Sequence, residues 1–210
     1  MALHYGASED EARAVAEECG NGAEVFQANL ESVAEIRRLF AEIRERYGRL
    51  DGLVNNAARF TKLHPFDVTE ADWDYVHSVN LKAVFFCCQQ GAKLMLATAG
   101  EGRIVNISSL GGIRPWADHA HYCASKAGVI HLTRALARAF APAITVNSVA
   151  PGVIPFGEKD DPEIQALVRE TPALRPGTAS DIADPVVFFL AGPSFVTGQL
   201  LAVDGGLSQR

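Results

Sequence analysis

The sequence predicts an α/β fold in three layers, with helices on both faces of a doubly wound parallel sheet. Strand-like and helix-like patterns alternate from one end of the chain to the other, which is typical of consecutive β-α-β units. No internal repeat interrupts this alternation. The chain has 210 residues, of which 48% are hydrophobic, so it is long enough to bury one sizeable core. We therefore expect a single domain that spans residues 1–210.

The first half of the chain is predicted to form three strands and three helices in alternation. A helix is expected at 8–19, and a second one begins after Ser32, which is a favoured capping residue. Thr69 and Asp72 form a capping pair that opens a long third helix, which ends near Gly100. The strands of this half are expected at 1–5, 23–30 and 50–57.

The second half continues the pattern and adds a long connection. The stretch 153–178 is rich in proline and polar residues, so we expect a loop with one short helix at 164–169, suited to act as a lid. Pro185 lies inside the last predicted helix, where proline removes a backbone hydrogen bond. The remaining strands are expected at 103–109, 144–149 and 200–203, and the helices at 119–140 and 180–190.

The composition argues against several classes of partner. The net charge is −6 and the basic residues are scattered, which disfavours nucleic acid or an anionic membrane surface. No apolar run approaches the roughly 18 residues of a membrane span, and the first residues do not resemble a secretion signal. We therefore expect a cytoplasmic protein without a metal site. Reduced thiols are expected at the four cysteines, which show no metal-binding or disulfide spacing: Cys19, Cys87, Cys88 and Cys123.

Tyr122 and Lys126 form the strongest chemical signal in the sequence. Residues four positions apart lie on one face of a helix, so both side chains point into one cleft. A free phenol has a pKa near ~10, and a neighbouring ammonium favours the phenolate. We therefore expect Lys126 to lower the pKa of Tyr122 towards the range of a general acid/base. Taken alone the spacing is a weak signal, because such pairs also occur on solvated helix faces.

Ser109 strengthens this signal by its place in the predicted sheet. It follows the strand that precedes the helix of Tyr122. The carboxyl ends of parallel strands line the ligand crevice of an open α/β sheet, so the Ser109 hydroxyl is placed to hydrogen-bond a substrate oxygen. For the neighbouring Ser108, a role in capping the turn after the strand is the better interpretation.

Six short motifs occur in the order that is typical of one enzyme family. They are Asn55-Asn56-Ala57-Ala58, Asn80 in Ser-Val-Asn-Leu, Ile107-Ser108-Ser109, Tyr122-x-x-x-Lys126, Asn147-Ser148-Val149-Ala150-Pro151-Gly152 and Val203-Asp204-Gly205-Gly206. Together they resemble the short-chain dehydrogenase/reductases of the classical type, over essentially the whole chain. The resemblance implies a Rossmann-like doubly wound parallel sheet and an NAD(P)(H)-dependent oxidoreductase that interconverts a carbonyl and a secondary alcohol.

The resemblance also implies a catalytic tetrad of Asn80, Ser109, Tyr122 and Lys126. In the implied reaction hydride passes between the nicotinamide and a carbonyl carbon, and Tyr122 gives or takes the proton of the oxygen. Ser109 steadies that oxygen, while Lys126 tunes Tyr122 and holds the cofactor ribose. Asn80 holds a water of the proton relay. A kink in its helix is a second interpretation of Asn80, and the two are compatible.

The implied cofactor site extends along the same edge of the sheet. Tyr5 stands where an acidic residue of the family binds the ribose 2′-hydroxyl and rejects a 2′-phosphate. Because Tyr5 carries no carboxylate and Ser8 is near, we expect NADP(H) rather than NAD(H). The residues implied to bind the cofactor are Tyr5, Ser8, Asn29, Leu30, Asn56, Ala57, Ala58, Tyr122, Lys126, Pro151, Gly152, Val153 and Ile154.

The beginning of the sequence departs from the family pattern. Members start with a strand, a glycine-rich turn and a helix whose N-terminus meets the pyrophosphate. This chain begins at the counterpart of the second strand, so we interpret it as N-terminally truncated, lacking the first strand, the glycine-rich turn and the first helix. The first strand would lie between the strands at 1–5 and 50–57. A gap or a rearrangement is expected there.

Several alternatives remain open at this stage. Within the family the chain is similar to β-ketoacyl carrier-protein reductases, while the runs 141–156 and 169–177 also resemble the pteridine-reductase branch, against which Ser109 stands. A cofactor-free binding or scaffold protein with the same fold is the alternative from a different class of function. The lacking glycine-rich turn favours that alternative, and the intact tetrad argues against it.

The expected partners are a small-molecule carbonyl or alcohol and further copies of the chain. Arg59, Phe60 and the loop 116–119 are expected to border the substrate pocket. Family members assemble as homodimers or homotetramers, so the resemblance implies that the predicted helices 69–97 and 119–140 pair between subunits.

Overall fold

The fold is given by a computed structural model that describes residues 1–155, 157 and 161–209. Phe156, the end of the run compared with the pteridine-reductase branch, lies outside the described residues. Strands and helices alternate as expected. In chain order they are β1 (Ala2–Tyr5), α1 (Glu9–Cys19), β2 (Glu24–Gln27), α2 (Val33–Tyr47), β3 (Gly52–Asn55), α3 (Glu70–His77), α4 (Val84–Thr98), β4 (Gly102–Ile107), α5 (Ala120–Phe140), β5 (Ile144–Pro151), α6 (Pro162–Glu170), α7 (Ala179–Ala191) and β6 (Leu200–Val203).

The strands form parallel pairs with helices on both faces, which confirms the predicted fold class. One sheet contains β1 and β2, and the other has the order β3-β4-β5-β6. All pairings are parallel. No ladder joins β1 to β3 among the described residues, at the place where the sequence predicts a gap or a rearrangement.

Local capping signals place several helix starts where the sequence predicts them. The Ser32 hydroxyl accepts a hydrogen bond from the Glu35 N–H at the start of α2. Thr69 and Asp72 form a reciprocal capping box at the start of α3. Thr178 caps α7 in the same way, and that helix continues through Pro185.

The long helix predicted from Thr69 to Gly100 is interrupted. A π-helical turn at Ser78–Ala83 separates α3 from α4. Such turns insert an extra residue into the helical ladder and re-aim the side chains that follow. The helix irregularity that the kink interpretation places at Asn80 is therefore a π-helical turn. A smaller difference is that β5 continues to Pro151, two residues past the predicted end of that strand.

Apolar side chains on both faces of the larger sheet form the core. Between the sheet and helices α4 and α5 lie Cys88, Met95, Ile104, Val129 and Val146. On the opposite face Phe189 of α7 packs on β4 and β5. With both faces covered, β4 and β5 are buried along almost their whole length, including polar residues such as Asn106 and Asn147. None of the helices in the described part of the chain is long and apolar enough to cross a membrane.

A cavity of about 740 Å³ lies between β1 and β3. Backbone edges of the two strands form its sides. Helices α2 and α4 contribute Phe40 and Cys87, and Leu190 of α7 closes it from the other face. Val54, in the middle of β3, is 40% exposed as a result. This is the gap that the sequence predicts at this place in the sheet.

The two strands that border the cavity run in the same direction. At their amino ends, the Tyr47 hydroxyl at the end of α2 donates to the Met1 carbonyl at 2.9 Å. Beyond their carboxyl ends, Arg59 after β3 forms an ion pair with Glu31 after β2. Because β1 and β2 are parallel, the cavity separates two parallel strand edges, and residues from both ends of these strands line it.

We predict that Cys87 reacts with a small neutral thiol reagent while the adjacent Cys88 does not. Burial raises the pKa of both thiols to about 12, so access decides the difference. Cys87 lines the cavity, whereas Cys88 is completely buried in the core. Mass spectrometry after methyl methanethiosulfonate treatment measures this, with Cys87→Ala and Cys88→Ala as matched variants. The Cys87→Ala variant is expected to take up one label fewer than the Cys88→Ala variant. Equal labelling of the two variants would contradict the predicted difference in access.

Candidate functional site

The end of β4 places Ser109 at the carboxyl edge of the sheet. The Ser108 hydroxyl donates to the Val149 carbonyl at 3.1 Å and accepts from Ser148 at 2.8 Å. These bonds tie β4 to β5, so the predicted role of Ser108 in capping the turn is wrong; Ser109 is the residue that caps it. The Ser109 side chain points the other way and accepts from the Gly111 N–H at 3.1 Å. It is 7% exposed, at the rim of the site.

Tyr122 and Lys126 lie on the face of α5 that packs against this edge. Tyr122 is 8% exposed and Lys126 is 3% exposed. The Lys126 ammonium donates to the Ile107 carbonyl, at the end of β4, at 2.9 Å. Its nitrogen lies 5.9 Å from the centre of the Tyr122 ring. The structure thus brings three of the four expected catalytic side chains together.

The protonation of this pair is governed by burial. Burial raises the pKa of Tyr122, and a hydrogen bond with Ser109 opposes that rise. Burial also lowers the pKa of Lys126, to about 8. The sequence-based expectation that Lys126 lowers the pKa of Tyr122 is therefore wrong for this state, because desolvation is the largest effect on both groups.

Asn80 connects the π-helical turn to the loop after β3 and to α5. Its carbonyl oxygen accepts from the Arg59 N–H at 2.7 Å, and its amide donates to the Arg59 carbonyl at 2.9 Å. The same amide donates to Ser125 at 3.2 Å, and the Ser125 hydroxyl donates to the Tyr122 carbonyl at 2.7 Å. Asn80 is fully buried. Its side chain therefore fixes the loop and the helix that carry the site.

Ser125 and a chain of buried amides were not singled out from the sequence. Asn55 donates to Asn106 at 2.8 Å, and Asn106 donates to Thr133 at 2.9 Å. This chain joins β3, β4 and α5 below the site. Both asparagines lie within predicted strands, where asparagine is uncommon. Asparagine at these two strand positions is the sequence feature that could have indicated a buried polar network.

One group of expected cofactor residues lines the cavity or its rim. Leu30, Asn56 and Ala57 border the cavity at the carboxyl edge, and Ala58 follows them in the same loop. Asn29 turns the chain after β2, since its side chain accepts from the Glu31 N–H at 3.0 Å. These residues lie on the two sides of the gap between β1 and β3.

A second group lies at the end of β5. The Gly152 N–H donates to the Val203 carbonyl at 3.0 Å. A Cβ at Gly152 would lie 2.7 Å from the Asp204 Cα, so only glycine fits this approach. Val153 and Ile154 follow Pro151 and Gly152 and line a small cavity of about 110 Å³.

Tyr5 and Ser8 lie at the end of β1 and the start of α1, farther from Tyr122. Desolvation and the neighbouring Glu9 carboxylate raise the pKa of Tyr5. Ser8 occupies the capping position but makes no capping hydrogen bond. The first turn of α1 is acidic, and Glu9 pairs with Arg13. No group of three or more possible metal ligands occurs in the described part of the chain.

The donor set fits the two ends of a dinucleotide. An ammonium has three N–H donors, and for Lys126 the described residues supply one acceptor, the Ile107 carbonyl. Donors therefore remain for ribose hydroxyls. Gly152 lets the loop after β5 pack against Asp204 and so fixes the start of the segment 151–154. No glycine-rich turn followed by a helix stands between the two ends in the described residues, where the cavity lies instead.

Comparison with known proteins agrees with this arrangement. A family described as enoyl-(acyl carrier protein) reductase matches residues 1–208. The 3-oxoacyl-[acyl-carrier-protein] reductase of Staphylococcus aureus is 37% identical over 215 residues, which cover 99% of this chain and 87% of that protein. The chain belongs to the short-chain dehydrogenase/reductase family. It is therefore an oxidoreductase of a family that uses NAD(P).

Solved structures of the same family superpose closely on this enzyme. A variant of a short-chain dehydrogenase/reductase from Serratia marcescens matches with a TM-score of 0.91 and 32% identity, over 99% of this chain and 86% of that one. The gluconate 5-dehydrogenase of Burkholderia cenocepacia, solved with NADP and tartrate, matches with a TM-score of 0.91 and 30% identity, over 100% and 85% of the two chains.

We predict that Lys126→Met changes how stability depends on pH. The folded protein releases the Lys126 proton near pH 8, and the unfolded chain releases it near its ordinary value of 10.5. Between pH 8 and pH 10.5 the free energy of unfolding of the wild type therefore rises relative to that of the variant, by roughly 3 kcal/mol in total. Below pH 8 the cost of the buried charge is fully present. Urea unfolding of both proteins at pH 7, 8.5 and 10 measures the difference, and parallel pH curves would contradict it.

Proposed function

We propose that this enzyme interconverts a carbonyl and a secondary alcohol, with Tyr122 as the general acid/base. The observation that supports this most strongly is the Tyr122 phenol beside Ser109, with the buried Lys126 ammonium below it. A bound nicotinamide supplies or accepts the hydride. The chain's own residues orient the substrate oxygen and move its proton.

The proton step follows from the environment of Tyr122. Because burial raises its pKa, the phenol is protonated at neutral pH and ready to donate to a carbonyl oxygen. Ser109 donates a hydrogen bond to the same oxygen and holds it near the phenol. Once Tyr122 has given up its proton, the Lys126 ammonium is the nearby group that we propose to supply the next one. With a pKa of about 8, Lys126 is charged at pH 7 and readily passes a proton on.

We propose that Asn80 acts chiefly as a positioning residue. Its hydrogen bonds hold the Arg59 backbone and Ser125, and Ser125 in turn bonds to the Tyr122 carbonyl. One lone pair of its carbonyl oxygen remains available, so the proposed water of the proton relay is compatible with this geometry.

For the cofactor we propose NADP(H) rather than NAD(H). Asn29, Leu30 and the loop 56–58 serve the adenosine side, and the loop 151–154 serves the nicotinamide. Support comes from Tyr5 and Ser8, which replace a carboxylate, and from the related gluconate 5-dehydrogenase, solved with NADP. The acidic first turn of α1 opposes a 2′-phosphate. Arg13, in the next turn of α1, would have to leave its ion pair with Glu9 to offset it, and it is the residue we propose for this role.

The relative from Staphylococcus aureus supports a 3-oxoacyl substrate on a carrier protein as the first candidate. Pteridine reduction is less well supported, since Ser109 stands at the catalytic position. We further propose a single domain, a homodimer or homotetramer, and a cytoplasmic location.

The test is the substitution Tyr122→Phe, assayed by NADPH consumption with a 3-oxoacyl thioester. Removing the acid/base lowers kcat by roughly 10² to 10⁴-fold, while NADPH affinity changes little because the ring stays in place. Tyr75→Phe is the matched control, because Tyr75 uses its ring and its carbonyl rather than its hydroxyl. Undiminished turnover by Tyr122→Phe would refute the role of Tyr122.

A further inference from the structure

Four aromatic rings surround the Tyr122 side of the site. Phe60, in the loop after β3, lies 4.8 Å from the Tyr122 ring in an edge-to-face arrangement and 4.7 Å from the His119 ring in a stacked one. Trp116 lies 6.3 Å from Tyr122 with the two planes only 8° apart. We call Phe60, Trp116 and Tyr122 the aromatic corner.

The planes of the aromatic corner favour a flat ligand. Trp116 and Tyr122 are parallel, and Phe60 stands at 89° to Tyr122. A ring inserted parallel to Trp116 presents its edge to the face of Phe60, and both stacked and edge-to-face contacts are favourable for aromatic pairs. Gly111 allows this arrangement, since a Cβ there would lie 3.2 Å from the Trp116 ring and 3.3 Å from the Tyr122 ring.

The exposure of Phe60 indicates that this ring serves a ligand rather than the core. Phe60 is 60% exposed, yet two neighbouring rings hold it in a defined orientation. An oriented ring next to a reacting phenol offers apolar area to whatever binds there. Burying such area on binding is favourable at about 25 cal/mol per Å².

The cations around the corner already have partners. Arg59 pairs with Glu31 and lies 3.9 Å above the Tyr75 ring. Lys62 pairs with Glu163 at 2.6 Å. Arg114, on the same loop as Trp116, donates to a backbone carbonyl. Among the described residues around the corner, the one cation without such a partner on the surface is Lys126, which is buried below Tyr122 and so is shielded from an anionic substrate group.

We propose that the aromatic corner selects flat, uncharged, ring-bearing ketones, with the ring on Trp116 and Phe60 and the carbonyl oxygen at Tyr122. This inference rests on the proposed interconversion of carbonyl and alcohol at Tyr122, and it competes with the 3-oxoacyl substrate that the Staphylococcus aureus relative suggests. A ring-bearing ketone differs from a linear acyl chain, which gains no stacking energy, and from a sugar acid, which requires a cation.

The test compares three methyl ketones with eight carbons each: acetophenone, cyclohexyl methyl ketone and 2-octanone. The readout is the kcat/KM of acetophenone divided by that of 2-octanone, in wild type, Phe60→Ala and Trp116→Ala. Comparing variants cancels the intrinsic reactivity of the ketones. Each variant lowers this ratio by about fivefold, and the puckered ring of cyclohexyl methyl ketone shows a smaller change.

Phe66→Ala is the control, because Phe66 lies in the same loop, is 94% exposed and lies outside the corner. It leaves the ratio unchanged. A ratio that is equal in wild type and both corner variants would overturn the proposal.

Binding measurements separate failure of this inference from failure of the proposed function. If neither the three ketones nor a 3-oxoacyl thioester is reduced, the proposed function fails, and saturation-transfer NMR of the same ketones still tests the corner. Stronger saturation of acetophenone than of 2-octanone supports the corner as a site for rings. This difference is expected to be lost in Phe60→Ala and kept in Phe66→Ala. Equal saturation of both ketones, or a signal unchanged by Phe60→Ala, contradicts it.

Discussion

The hydrogen bond from the Lys126 ammonium to the Ile107 carbonyl joins α5 to the end of β4. Burying a cation without an acidic partner is costly, so this contact is tolerated only because the helix and the strand are held by other forces. Core packing supplies one, and the Asn55, Asn106 and Thr133 chain supplies another. The same contact brings Tyr122 to Ser109. The chemistry of the site therefore depends on the buried Lys126 ammonium, whose energetic cost is offset by the packing of the core.

The sequence predicted the larger features because they follow from local rules. Alternating patterns predicted the strands and helices, and capping residues such as Thr69 marked helix starts. Parallel strands end at one edge, which brought Ser109 next to Tyr122. The π-helical turn around Asn80 was not predicted, because its cause is tertiary: the loop at Arg59 and the helix at Ser125 both bind that side chain. The directions of the pKa shifts of Tyr122 and Lys126 also depend on how deeply each group is buried, which the sequence pattern does not show.

The cavity between β1 and β3 lies among the residues that we propose to bind the cofactor. Residues proposed for the adenosine side lie on both flanks of it, with Leu30 after β2 and Asn56 and Ala57 after β3. Two contacts help to hold the flanks in place, namely Tyr47 with Met1 and Arg59 with Glu31. We therefore expect the flanks to present their donors in register.

Calorimetric titration of the 210-residue chain with NADPH tests this central claim most directly. The account predicts saturable binding of one NADPH per chain, which is weakened by Lys126→Met because the ribose loses its ammonium donor. Absence of any heat of binding for a folded chain would contradict the account. The cofactor-free binding or scaffold protein would then be the better description.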